Sequence, residues 1–122
     1  MNKRQTGIDY EALAAAYLQN KGYRIIEKNY RCKAGEIDLI AEHEGYLCFI
    51  EVKYRKDDRF GSPAAAVDRA KQRTISRAAR IYLAAHGYDQ WTACRFDVAA
   101  IRGSSQDALQ IQVIPNAFYY QP

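Results

Sequence analysis

Apolar residues along this 122-residue chain fall into two kinds of run. Some recur every three or four positions, as helices require. Others alternate or run together, as strands do. Ile8 to Lys21 is of the first kind, rich in alanine and stopped by Gly22. Tyr23 to Tyr30 reads as a strand, and residues 31–35, ending in Ala34-Gly35, as a turn. Residues 35–55 hold two more strand-like runs on either side of His43-Glu44-Gly45-Tyr46. Ser62-Pro63 opens the longest helix, since serine favours the N-cap and proline the first turn. That helix runs to His86 and stops at Gly87, with Val67, Ala70, Ile75, Ala78, Tyr82 and Ala85 left for the core. Cys94 to Ile101 and Ala108 to Ile114 read as the last strands. The order is helix, three strands, helix, two strands. It predicts a mixed sheet packed with helices, α/β or α+β, in one domain spanning residues 1–122.

Charges interrupt the two best strands. With Glu44-Gly45 as a two-residue hairpin turn, residues facing each other have numbers that add to 89. Ile40 then faces Phe49, Glu42 faces Leu47, Asp38 faces Glu51 and Glu36 faces Lys53, all on one face. Two opposed carboxylates repel, so a raised pKa, a nearby cation or a bound metal must offset them. Oxygen ligands of this kind suit Mg²⁺ or Mn²⁺. Lys53 follows on the same side, where an ammonium could assist deprotonation of a water or stabilise developing negative charge. The plainer alternative is a half-exposed strand whose acids are solvated or paired with Lys33 and Lys53. Clustering on one level of the hairpin, inside apolar strands and ahead of Lys53-Tyr54-Arg55-Lys56, favours the metal.

On the first helix, Glu11 shares a stripe with Ala15 and Leu18. It either leans toward the sheet or is a solvated residue at a helix start, where the macrodipole favours an acid. On the long helix Arg69, Arg73, Arg77 and Arg80 form a stripe, with Lys71 and Arg59 nearby and Asp68 the local counter-charge. Such a face can be merely solvated. Same-sign neighbours cost stability, however, and suit a phosphate backbone better.

Net charge of +4 and a pI near 9 permit an anionic partner. Three widely spaced cysteines, with Cys48 inside an apolar run, form neither a metal motif nor a disulfide framework and fit a reducing compartment. The N-terminal stretch is interrupted by Asp9, Glu11 and Gln19, unlike a signal peptide, and no apolar run is long enough to span a bilayer. A cytoplasmic protein without a membrane partner is expected. No glycine-rich phosphate loop, nucleophile elbow or supported cysteine–histidine pair is present, and His43 and His86 read as surface residues.

Glu11 on a leading helix, Gly35-Glu36-Ile37-Asp38-Leu39 and Phe49-Ile50-Glu51-Val52-Lys53 together resemble the active-site string of the PD-(D/E)xK nuclease superfamily. More narrowly, the chain resembles the YraN-type family of small bacterial predicted endonucleases, often compared with Holliday-junction resolvases. Asn29-Tyr30, Arg59 to Pro63, Arg95-Phe96-Asp97-Val98 and Asn116-Ala117-Phe118 extend the match over nearly the whole chain. Ile37 stands where the superfamily name has proline.

The resemblance implies a restriction-endonuclease-like core, a four- to five-stranded mixed sheet flanked by helices. It makes Asp38 and Glu51 the ligands of Mg²⁺ or Mn²⁺, with the Val52 carbonyl a third candidate. It makes Lys53 the catalytic lysine and Glu11 the helical glutamate of resolvase-like members. The function it implies is metal-dependent hydrolysis of DNA, branched DNA included, with Arg55, Lys71 and Arg73 on phosphates. A homodimer is implied by the resolvases alone. Two other functions are weighed beside it. One is a nucleic-acid-binding protein that does not cut. The other is a protein-interaction domain using Tyr54, Tyr119 and Tyr120.

Overall fold

The computed structural model describes residues 8–56, 67–103 and 108–122. Its elements are α1 (Tyr10–Asn20), β1 (Arg24–Cys32), β2 (Gly35–His43), β3 (Tyr46–Arg55), α2 (Arg69–Ala85), β4 (Cys94–Arg102) and β5 (Gln110–Phe118). The five strands form one sheet in the order β1-β2-β3-β4-β5. All neighbours are antiparallel except β3 and β4, which run parallel because α2 lies between them in the chain. This is the mixed sheet with helices that the hydrophobic pattern predicts.

Helix starts are set by aspartates. Asp9 is extended, and its carboxylate accepts the Ala12 N–H at 3.1 Å, so α1 begins at Tyr10. Asp68 does the same for α2, accepting the Lys71 N–H at 2.8 Å. A helix unbroken from Ser62-Pro63 is therefore ruled out. Arg59, Ser62 and Pro63 themselves lie outside the described residues. Asp68, read from sequence as the counter-charge to the arginines, is a cap. Ala70 and Ala85, expected in the core, are exposed, while Ser76 and Ala79 are buried in their place.

The hairpin forms as predicted. Glu44 and Gly45 both have positive φ, 52° and 83°, as a tight turn of this hand requires. The register holds from His43↔Tyr46 through Ile40↔Phe49 to Leu39↔Ile50. The paired positions stop there, one step short of Asp38 and Glu51.

Strand β5 continues four residues beyond its predicted end. Pro115 and Asn116 suggest a break, yet β5 is an edge strand, where a missing N–H and a bulge are tolerated. The register shifts between Phe96 and Val98, and Asn116, at φ 54°, turns its N–H toward the Asp97 carboxylate at 2.9 Å.

Two apolar clusters flank the sheet. Ile75, Ala78, Ala79 and Tyr82 of α2 pack on Ile37, Ile40, Leu47, Phe49, Phe96 and Val98. Tyr10, Ala14, Ala15 and Leu18 of α1 pack on Leu39, Ala41, Cys48, Ile50, Val52 and Ala99 on the opposite face. Strands β3 and β4 are buried on both faces, which explains their nearly continuous apolar sequence. Cys48 is buried, as expected of a small hydrophobe, and all three cysteines are free. Among the described residues no helix is long and apolar enough to cross a membrane.

One buried polar network crosses this core. Asp97, with no exposed surface, accepts from Arg95 Nε at 2.9 Å, Arg95 Nη2 at 2.8 Å and the Tyr23 hydroxyl at 2.9 Å. Arg95 Nη2 also lies 2.9 Å from His43 Nδ1, and the His43 ring stacks on Tyr23 at 3.9 Å. His43 is thus part of the interior arrangement rather than a simple surface residue.

Candidate functional site

Strand β2 changes phase at Asp38. Ile37 and Ile40, three residues apart, both pack on the α2 side, while Leu39 and Ala41 pack on the α1 side. Strict alternation would forbid this. On β1 the register runs Lys28↔Leu39 and Tyr30↔Ile37, and Asn29 between them sits at φ 54°. Asparagine is one of the few residues that takes this conformation at low cost. The slip has two consequences. Of the face that simple alternation gives Glu36, Asp38 and Ile40, the two acids stay together and Ile40 packs away on the α2 side. Beyond Leu39↔Ile50 the β2–β3 pairing ends, and Asp38 reaches across to accept the Val52 N–H at 2.8 Å.

A cleft of about 430 Å³ opens at this point. Glu11 and Asp9 enter it from α1, Asn29 and Arg31 from β1, Glu36 and Asp38 from β2, Glu51 and Lys53 from β3, and Lys71 from α2. Four of the residues singled out by sequence therefore meet: Glu11, Asp38, Glu51 and Lys53. Lys71, expected on phosphates, is the fifth. Its Nζ lies 3.5 Å from Glu51 Oε2, and Lys53 Nζ lies 3.7 Å from the same oxygen. Arg55 and Arg73 do not line the cleft. Arg55 closes β3, where its carbonyl accepts the Gly103 N–H at 3.1 Å, and Arg73 is exposed on α2.

Two further residues, Glu36 and Asn29, join the site. Glu36 lies close to Glu11 and Asp38, and one ligand oxygen from each of the three falls within 4.8 Å of the others. Asn29 hydrogen-bonds Glu11 and lowers its proton affinity. Alternation places Glu36 on the face of Asp38, and the phase slip turns both toward Glu11 of α1. The asparagine preceding Tyr30 was the available signal, since asparagine marks left-handed backbone.

The charges are poorly balanced, and the proton affinities record it. Glu11 is raised, first by burial, then by the Asp38 charge. Glu51, only 4% exposed, is pushed up to about 8 by burial, by the Asp38 charge and by its hydrogen bond with Asp38. Lys71 and Lys53 pull it back only in part. A hard divalent cation would relieve this repulsion with the oxygen donors already present. Glu11, Glu36 and Asp38 fit such an ion by donor type and proximity. Glu51 borders the same cleft but is engaged by both lysines.

This buried acid sets a pH dependence. In the folded chain Glu51 holds its proton far above its ordinary 4.5, so the native state binds more protons than the unfolded one between about 4.5 and 8. Stability therefore falls as pH rises through that window. Glu51→Gln, uncharged at every pH, is expected to melt several degrees above the native protein at pH 8 and close to it at pH 4. Thermal melts followed by circular dichroism at the two values check this. A variant that melts lower at pH 8 would contradict the assignment.

The comparisons with known proteins bear on the whole arrangement. Residues 10–101 match the model of the uncharacterised protein family UPF0102. The chain belongs to that family. A UPF0102 protein of Lachnoclostridium phytofermentans is 43% identical over 118 residues, covering 97% of this chain and 96% of its own length. One from Symbiobacterium thermophilum is 45% identical over 116 residues, covering 95% and 98%. One from Nitrosomonas europaea is 46% identical over 112 residues, covering 92% of each. The match to the UPF0102 model takes in every described residue of the cleft except Asp9.

Proposed function

We propose that this UPF0102 protein is a metal-dependent endonuclease of the PD-(D/E)xK type that hydrolyses phosphodiester bonds in DNA. The observation that carries the reading is the convergence of Glu11, Glu36, Asp38 and Glu51 with Lys53 and Lys71 in one cleft. Acids that repel one another at this range have no evident structural use. Beside two ammonium groups they suit chemistry in which negative charge builds and is moved.

Glu11, Glu36 and Asp38 would hold Mg²⁺ or Mn²⁺, with Glu51 a further ligand once drawn from its lysines. When bound, the cation supplies Lewis-acid stabilisation of the charge on the phosphate. Asp38 keeps its orientation through the Val52 N–H, and Asn29 orients Glu11. Lys53, about one-third exposed, can direct its ammonium either to Glu51 or to a phosphate oxygen. In the second position it would steady the oxygen that gains charge as water attacks phosphorus. Water forms the new P–O bond, and the old one breaks to leave a hydroxyl on the departing strand. Lys71, tied to Glu51, keeps a cation beside that acid and can pass to substrate in the same way.

The test is incubation with duplex, nicked, single-stranded and four-way-junction DNA in Mg²⁺ or Mn²⁺, with products separated on denaturing gels. Cleavage that needs the cation and stops in chelator supports the reading. Binding without cleavage of any substrate would favour a nucleic-acid-binding protein on the same fold.

A further inference from the structure

The cleft does not use the outer face of α2. That helix carries Arg69, Lys71, Arg73, Arg77 and Arg80 and no acidic residue. Lys71 turns into the cleft. The four arginines are exposed on the side away from the sheet, and among the described residues none of them has an ion pair. With 3.6 residues per turn, steps of four, four and three keep all four within about a quarter of the helix circumference. Their repulsion is therefore uncompensated.

The C-terminal tail lies along this face in a fixed position. Phe118 is buried and stacks on Phe96 at 5.1 Å. The Gln121 N–H donates to the hydroxyl of Ser76, which is fully buried in α2, at 3.0 Å. Arg80 Nη1 donates to the Tyr120 hydroxyl at 3.2 Å. Between these anchors Tyr119 is 76% exposed, and its carbonyl is held by the Gln121 side chain at 3.0 Å. An exposed aromatic ring thus stands next in sequence to Tyr120, the residue that Arg80 of the stripe holds. The segment from Ala108 to Pro122 also lacks any acid.

We propose that the outer face of α2 and the tail form a binding surface for an unpaired nucleic-acid strand. Arg73, Arg77 and Arg80 contact phosphates, and Tyr119 stacks on a base. The arginines select a polyanion. The ring selects for exposed base faces, which a duplex does not offer along its length but a single strand does. Arg69 and Lys71 lie in the same first turn of α2, one on this face and the other lining the cleft, so the two sites share that end of the helix. This deepens the nuclease reading by naming a substrate with an unpaired segment, and it rests on that reading only for what happens in the cleft.

The test reads binding alone, in chelator, so that a failure of cleavage does not decide it. Fluorescence anisotropy is measured with a labelled 20-nucleotide thymidine strand and with a blunt duplex of equal length. The native protein is expected to bind the single strand more tightly. Tyr119→Ala should weaken single-strand binding about tenfold and leave duplex binding within twofold, while Tyr119→Phe should bind like the native protein. Arg77→Gln should weaken both and lower the salt slope for the single strand by about 0.7. Equal weakening on both DNAs in Tyr119→Ala, or no effect, would overturn the stacking role. Failure of the native protein to bind either DNA at low salt would overturn the surface altogether and favour a protein partner.

Discussion

Asp38→Asn is expected to cut DNA at least about a thousandfold more slowly than the native protein, some 4 kcal/mol of barrier, while remaining folded. The substitution is chosen for its shape. Asp38 accepts the Val52 N–H at 2.8 Å, and an asparagine carbonyl oxygen can accept the same bond. What disappears is the charge. Burial, the larger cause of the raised Glu11 and Glu51 values, stays, but both lose the part owed to the Asp38 charge. The variant should therefore melt no lower than the native chain. Calorimetric titration with Mn²⁺ should show the loss of binding that precedes the loss of cutting. A folded Asp38→Asn that cuts at the native rate would remove Asp38 from the chemistry. One that unfolds would make the residue structural.

The second large effect concerns stability. Asp97→Ala is expected to cost about 3–5 kcal/mol, because a buried guanidinium is left without its anion. The Asp97 carboxylate accepts from Arg95, from Tyr23 and from the Asn116 amide, tying β4 to the start of β1 and to the bulge in β5. Its loss takes the acceptor from donors on three residues together. The melting temperature should drop by roughly 10 °C or more for a chain of this size. Tyr23→Phe, which removes one hydroxyl from the same network, should cost only about 1 kcal/mol. Chemical denaturation of the two variants at pH 7 measures both. An Asp97→Ala variant as stable as Tyr23→Phe would mean that Arg95 finds another partner or reaches solvent.

Those two residues also mark what could be read in advance. The hairpin was legible because its turn residues demand one geometry and the apolar pattern fixes one register. Glu11 was legible as far as helical spacing goes, and its side of the helix was decided only by packing. Asp38 and Glu51 stood out because charge inside an apolar strand needs a reason. The pairing of Arg95 with Asp97 was not legible. Two charges two residues apart on a strand look like surface alternation, and only burial of β4 on both faces turns them into an interior pair. The start of α2 was misplaced because Ser62-Pro63 is a strong local signal, whereas Asp68 looked like one acid among arginines. Glu36 was named in the wrong relation, opposite Lys53, because alternation was carried through a point where the backbone breaks it.

That break has a wider meaning for how the sheet is fastened. Up to Leu39 and Ile50 the two central hairpin strands are held by main-chain pairing, which no change of pH or ion can loosen selectively. Two residues beyond Ile50, the Val52 amide is held by a carboxylate. There the fastening carries a charge and answers to whatever stands near it. A cation drawn to the cleft would compete with the amide for the same oxygens. The gap between β2 and β3 is thus governed by electrostatics where the rest of the sheet is governed by geometry.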